Sequence, residues 1–484
     1  MTKENKSWPR IRKFFNDVHL WLGLASGIIV LFVCLSGTIY VFNTEIREMA
    51  APHLYKVKPG SEQSKLSTEK LIALVEKKSG GKVSSVKIPS ADDRSYVMTV
   101  RKEGQEGQEG HDHKGERKGG PAPEGMRSER GKREQRSELG AAEGHAARKG
   151  NEEGRGSDKA EKGAGKGGEA GAAGRGPGGR GTQYMINPYT GEILGDSKSS
   201  KTTADAVMQF MFSLHRWLLL DKIEEPLFGE LENRKLGSYI SGTATILFTL
   251  GVITGIVIWF PQRIRNWKQG LKVKTSGNWK RTNHDLHNSL GFYSCLLLLL
   301  MGLTGPQWSF PWYREGLRKA LGTHQAEGPG KQQEQPSSEV PSITASTLSV
   351  AELVSLANKQ LPYEGDYTIS LPRDSSGTVN IMKNKIGFFA PAAADKLVLD
   401  QYSGAVLTKE IFAEKPFNER VSGSIKALHI GDVYGLFSKI LYFFACLIAT
   451  SLPVTGTLIW INKLKKKGNK NTKPAKAPFV PAEV

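Results

Sequence analysis

The chain has little cysteine, three residues in 484. Cys34, Cys295 and Cys446 all fall inside long apolar stretches, where a thiol serves as a small apolar side chain, and no Cys-x-x-Cys occurs. A disulfide framework, thiolate iron-sulfur ligation and covalent c-type haem attachment are therefore excluded. No Gly-x-Gly-x-x-Gly follows a predicted strand, which argues against a built-in nicotinamide or flavin domain. The apolar stretches also lack charged residues at their centres, so the broken, charge-bearing helices of a transporter are missing.

What is present is hidden by the averages. A mean hydropathy of -0.37 and 24% charged residues suggest a soluble chain, yet the polar residues are gathered in a few segments. Between them lie four runs long enough to cross a hydrocarbon core, which takes roughly 20 helical residues: Leu20 to Phe42, Leu236 to Phe260, Leu290 to Phe310 and Leu436 to Ile461. The first is too long for a signal-peptide core and no small-x-small cleavage site follows it, so it is expected to be a retained anchor.

The net charge of +19 is distributed in a way that argues against nucleic acid. Arg10, Arg12 and Lys13 precede the first run; Arg263, Arg265, Lys268, Lys272, Lys274, Lys280 and Arg281 separate the second from the third; Lys463, Lys465, Lys466 and Lys467 follow the fourth. Short basic connections on one side of a membrane mark the cytoplasmic side. Both termini are expected there, with the two long connections outside.

The sequence predicts cytoplasmic segments at 1–19, 261–286 and 462–484, spans at 20–42, 236–260, 287–310 and 436–461, and outside domains at 43–235 and 311–435. The first outside domain carries a Gly-, Glu-, Lys- and Arg-rich insertion, 101–181, too poor in apolar residues to offset its ordering entropy. Its His111, His113 and His145 are read as solvated rather than metal-binding. Around the insertion, Lys65 to Ser79 has helical periodicity and Val83 to Val100 alternates like strands. Asn187-Pro188-Tyr189-Thr190-Gly191 is a turn signal between two short strands. In the second domain, a helix at Ala351 to Gln360 and strands at Tyr367 to Leu371, Thr378 to Lys383 and Lys396 to Leu399 are expected.

Several of these signals recur. NPYTGEIL at Asn187 to Leu194 returns as DQYSGAVL at Asp400 to Leu407; DVHLWLG at Asp17 to Gly23 returns as DLHNSLG at Asp285 to Gly291; TGIVIW at Thr254 to Trp259 returns as TGTLIW at Thr455 to Trp460. His19 precedes Gly37 of an SGT by the same interval as His287 precedes Gly305 of a TGP. The expected fold is a membrane protein with an all-α four-helix bundle, built from two tandem parallel repeats about an axis normal to the membrane, each with a small α+β outside domain.

The repeat brings His19 toward His287 near one membrane face and His215 toward His429 near the other. Facing neutral imidazoles are the ordinary axial ligands of b-type haem, and ionisable residues in a bundle usually serve a site or a pathway. Two non-covalent bis-histidine haems are the resulting expectation; the alternative is four interfacial histidines bonded to carbonyls or headgroups. His284 is second choice at the inner site, where it could replace His287, bind a haem propionate or accept a proton. Arg216 could pair with a propionate or snorkel to the lipid headgroups. Asp17 and Asp285 are expected to cap helices, His53 and His324 to be solvated, and Trp308, Phe310, Trp312 and Tyr313 to form an aromatic belt.

The His of DVHLWLGL, the SGTIYVF end of the first span, LHRWL, the YTGEIL and YSGAVL turns and the TGIVIWF and TGTLIWI ends together resemble the PepSY-associated transmembrane family. That family includes iron-regulated membrane proteins and ferric-siderophore reductases. The resemblance spans nearly the whole chain apart from the insertion. It implies PepSY-like periplasmic domains, a bacterial inner membrane and a di-haem reductase delivering electrons to a periplasmic ferric siderophore or other ferric chelate. His19 and His287 would then serve the inner haem, and His215 and His429 the outer one. The donor would be a quinol or a separate cytoplasmic reductase. A different class of function is a non-enzymatic anchor whose outside domains bind or inhibit peptidases.

Overall fold

The structure, a computed structural model, describes residues 8–59, 64–101, 181–260, 267–324, 336–341 and 346–471. The first apolar run lies in α1 (Trp8–Tyr40). Helices α2 (Asn43–Ala50), α3 (Pro52–Tyr55) and α4 (Thr68–Ser79) follow, then strands β1 (Lys82–Ile88), β2 (Tyr96–Arg101), β3 (Thr182–Ile186) and β4 (Ile193–Asp196). After α5 (Thr203–Trp217) comes the second span helix, α6 (Asn233–Trp259). A short α7 (Trp267–Gly270) leads to the third, α8 (Trp279–Thr304).

The second half continues with α9 (Pro311–Ala320), α10 (Val350–Gln360), β5 (Gly365–Ser370), β6 (Thr378–Lys385), β7 (Ala394–Asp400) and β8 (Val406–Glu410). Two short helices, α11 (Phe417–Gly423) and α12 (Ile425–Ile430), precede the last long helix, α13 (Gly435–Asn471).

Among the described residues four helices are long and apolar enough to cross a membrane: Arg10–Tyr40, Asn233–Trp259, Trp279–Trp308 and Gly435–Lys466. In hydrocarbon each backbone group must be satisfied within its own segment, which an apolar run achieves as a helix. The four pack in a ring, α1 on α6 and α13, and α8 on α6 and α13. Small residues, among them Ser36, Ala244, Gly302, Ala445 and Ala449, are buried in these helices, and such residues let helix backbones approach where lipid supplies no hydrophobic drive.

α1 and α8 begin about ten residues before the apolar runs predicted from sequence. Their first turns are polar and helical, so His19 and His287 are interior helix positions rather than helix starts. This also corrects the capping expectation. Asp17 lies inside α1, in its third turn, and α8 is capped by Asn278, whose side chain accepts from Lys280 N–H (3.0 Å). Asp285 instead pairs with Arg281 one turn earlier (2.9 Å).

The strands do not form two separate sheets. They join in one antiparallel sheet of order β4-β3-β2-β1-β5-β6-β7-β8, where β1 and β5 pair with Val86 opposite Ile369. The order is symmetric about that junction. Residues 102–180 connect β2 to β3, whose ends pair at Val100 and Thr182; the connection in the mirrored place is the short one between β6 and β7.

Helices α4 and α10 cover one face of this sheet. Leu71 and Val75 pack with Val86, Met98 and Ile186, and Leu353, Ala357 and Leu361 pack with Ile369, Ile381 and Leu397. Ser67 and Ser349 cap the two helices. The turns Asn187–Gly191 and Asp400–Gly404 are built alike. In each the first side chain accepts the N–H of the residue two on, and the glycine is left-handed, at φ +75 and +71. A Cβ there would strike Leu74 in one and Leu356 in the other.

Candidate functional site

The structure brings together, in two pairs, the four histidines that the sequence pairs. His19 of α1 and His287 of α8 have ring centroids 6.2 Å apart with planes at 77°. His215 of α5 and His429 of α12 are 6.1 Å apart at 65°. Along α1, 18 residues separate His19 from Gly37, which packs on His215. That interval is about 27 Å of helix axis, close to the ~30 Å thickness of a hydrocarbon core.

Each ring docks on a neighbouring span helix in the same way. His19 Nδ1–H donates to the Gly251 carbonyl (2.9 Å) and lies 3.2 Å from Thr254 Oγ1. His287 Nδ1–H donates to Thr455 Oγ1 (2.8 Å). His429 Nδ1–H donates to Thr304 Oγ1 (3.0 Å), with the Met301 carbonyl at 3.2 Å. His215 Nδ1–H donates to the Val33 carbonyl (2.8 Å).

The threonine hydroxyls are acceptors here because each gives its own proton to a carbonyl one turn back: Thr254 to Leu250, Thr304 to Leu300, Thr455 to Ser451. All four histidines are thus fixed with the proton on Nδ1. Their Nε2 atoms have no hydrogen-bond partner among the described residues. Under each ring lies a glycine: a Cβ built on Gly37, Gly255, Gly305 or Gly456 would stand 3.2 Å from Cε1 of His215, His19, His429 or His287 respectively.

These features fit a metal held between imidazoles. Two metal-nitrogen bonds of about 2 Å plus the two ring radii put centroids about 6 Å apart. A ligating histidine ordinarily has its other nitrogen donating to a carbonyl or similar acceptor, which fixes tautomer and ring orientation. The two rings of each pair stand edge to face, with no hydrogen bond between them. Desolvation lowers the pKa of His215, and desolvation with His215 opposite lowers that of His429, which favours the neutral rings that metal ligation requires.

The remaining predicted site residues stand outside the two ring pairs, with Arg216 close enough to His215 to add to desolvation in lowering its pKa. His284 is 57% exposed, with Nδ1 3.5 Å from Asp285, and it is His287 that faces His19. The Arg216 guanidinium lies over Trp217, 5.4 Å from the ring centroid. His53 and His324 are exposed; His111, His113 and His145 fall outside the described residues. Trp308, read from sequence as a belt residue, packs edge-on against His429 at 4.9 Å.

Sequence reasoning missed the shell behind the rings, namely Ser36-Gly37, Thr254-Gly255, Thr304-Gly305 and Thr455-Gly456. Its signal was a Ser/Thr-Gly step in each span, noted there only as a mark of repetition and accompanied by further such steps at Ser26-Gly27 and Ser241-Gly242 that carry no histidine.

A bundle of four apolar helices carrying paired, tautomer-fixed histidines defines a multi-pass membrane protein. The chain belongs to the PepSY-associated TM region family, whose model matches residues 17–463. Comparison with curated proteins finds no match.

Proposed function

We propose that the protein is a di-haem reductase of the bacterial inner membrane, carrying electrons from the cytoplasmic side to a ferric chelate, such as a ferric siderophore, in the periplasm. The observation that carries this reading is the pair of histidine pairs: centroids at 6.2 and 6.1 Å, every Nδ1 engaged and every Nε2 without a partner among the described residues.

In this reading the chain is two tandem parallel repeats with cytoplasmic termini and two PepSY-like domains sharing one periplasmic sheet. The basic residues beside the spans support that orientation, and the mirrored strand order supports the repeat.

Haem held by His19 and His287, and by His215 and His429, supplies a one-electron Fe(III)/Fe(II) couple at each membrane face. The protein's part is to orient the rings. The Nδ1 acceptors fix the tautomer that leaves Nε2 free to ligate, and the glycines let the rings lie against the helices. An apolar core that includes Leu298, Ala445 and Ala449 excludes water from the bundle interior. The ferric chelate is substrate: reduction to Fe(II) weakens its hold on hard oxygen donors, and iron is released. The donor is a quinol or a separate cytoplasmic reductase.

The test uses the full chain, haem-loaded, in liposomes containing dithionite, with a ferric siderophore and the ferrous indicator ferrozine outside. Ferrous-ferrozine should form with the parent chain and fall to the protein-free rate in His215→Ala and His287→Ala. Equal rates in parent and variants would overturn the proposal and leave the peptidase-binding anchor as the reading.

A further inference from the structure

The β6–β7 connection is apolar where a water-facing loop would be polar. Residues 386–393 read Ile-Gly-Phe-Phe-Ala-Pro-Ala-Ala, without a charge, and Phe388 and Phe389 are 49% and 62% exposed. Contiguous exposed apolar surface usually marks a contact with lipid or protein.

The loop is held in place. Ala392 N–H donates to the Val433 carbonyl (3.0 Å), and Asn384 Nδ2 donates to the Ala392 carbonyl (2.8 Å). A Cβ on Gly435 would stand 3.2 Å from the Phe388 carbonyl oxygen, and Gly435 takes φ +52 to pass beneath it. Gly435 is also where the fourth membrane span begins. The rings of Phe388 and Phe389 lie 6.0 and 4.8 Å from that of Phe437, in the first turn of the span.

We propose that Phe388 and Phe389 dip into the headgroup-acyl boundary of the outer leaflet and hold the outer sheet against the lipid surface. Two observations favour lipid over another occupant. First, the patch continues the lipid-facing stripe of α13. Phe437, Leu441, Phe444 and Leu447 are all exposed and recur at helical spacing on one face, so the two rings extend that stripe to the level where aromatic belts sit.

Second, polarity is graded along the strands. β7 has seven residues, a span of about 23 Å. At the far end of these strands the β5–β6 turn, Arg373-Asp374-Ser375-Ser376, is polar and exposed. The apolar end is at the bilayer and the polar end is away from it. The anchor stands on one side of the symmetric sheet among the described residues, because residues 102–180 occupy the mirrored connection. The proposal does not depend on haem.

The test uses the full chain in lipid nanodiscs, carrying Phe389→Cys or, separately, Phe388→Cys, labelled with the polarity-sensitive fluorophore NBD. Labelled parent chain gives the background from its own cysteines, and Ala405→Cys, exposed beyond the β7–β8 turn, is the aqueous reference. The expected result is blue-shifted emission at 388 and 389, at least two-fold more quenching by lipids with a nitroxide high on the acyl chain than at 405, and shielding from iodide. Iodide quenching equal to that at 405 would overturn the proposal. So would protection from both quenchers, which would point to a second copy covering the loop.

Discussion

Gly255 lies directly beneath the ring of His19, and a Cβ on it would come within 3.2 Å of Cε1. The same distance recurs at Gly37 with His215, Gly305 with His429 and Gly456 with His287. Four equal approaches show that each imidazole is seated against a helix backbone where a Cβ would crowd the ring and push it away by a few tenths of an ångström.

Gly255→Val should therefore unseat His19 while leaving the rest of α6 helical, since valine is a slightly better helix former than glycine, by a few tenths of a kcal/mol. The expected outcome is loss of at least half of the inner haem with full retention of the outer one. Gly37→Val should do the reverse. Haem quantitation on the purified variants checks both, and equal loss of both haems in either variant would contradict the seating.

Thr455→Val removes the hydroxyl that accepts from His287 Nδ1–H (2.8 Å) while preserving shape. An imidazole without that acceptor is a weaker donor to ferric iron. The inner midpoint potential should rise, by about 59 mV for each tenfold loss of ferric over ferrous preference. Redox titration of Thr455→Val beside the parent reads this directly. Thr455→Ser, which keeps the hydroxyl, should return the potential to the parent value.

The imidazole planes cross at 77° in the inner pair and 65° in the outer. Imidazoles crossed at such angles would leave the two upper t2g orbitals of a bound low-spin ferric ion, which share three electrons, nearly equal in energy. The oxidised protein should therefore give strongly anisotropic low-spin electron paramagnetic resonance signals. A rhombic signal of the kind given by parallel imidazoles would contradict these ring orientations.

Asp400 tests the outer sheet. Burial opposes its ionisation, but hydrogen bonds from Ser403 N–H and Oγ–H, Tyr402 N–H and Glu339 N–H outweigh this and lower its pKa to about 2. A depressed folded pKa stabilises above the unfolded value near 4, and that contribution is lost as pH falls toward 2. Asp400→Asn should cost about 2 kcal/mol at pH 7 and about half of that at pH 3. Thermal unfolding of the full chain at both values checks the difference.

The spans, the recurrent motifs and the histidine partners were legible because each leaves a linear trace: an apolar run, a repeated phrase, a fixed interval. The sharing of one sheet was not. Whether β1 is an edge or pairs with β5 depends on hydrogen-bonding groups that every residue carries alike, and the alternation of Val83 to Val100 is the same in either case. The true starts of α1 and α8 were hidden because their first turns are polar, which also placed Asp17 and Asp285 wrongly at helix ends. The Ser/Thr-Gly steps were read as repetition. In sequence alone, small residues in a span equally mark close packing of helices.

The measurement that bears most directly on the central claim is a reduced-minus-oxidised visible spectrum with haem quantitation, on the detergent-purified chain expressed with ample haem. Two b-type haems per chain, falling to one in His287→Ala and to one in His215→Ala, is the predicted result. A colourless chain, or haem content indifferent to both substitutions, would contradict it.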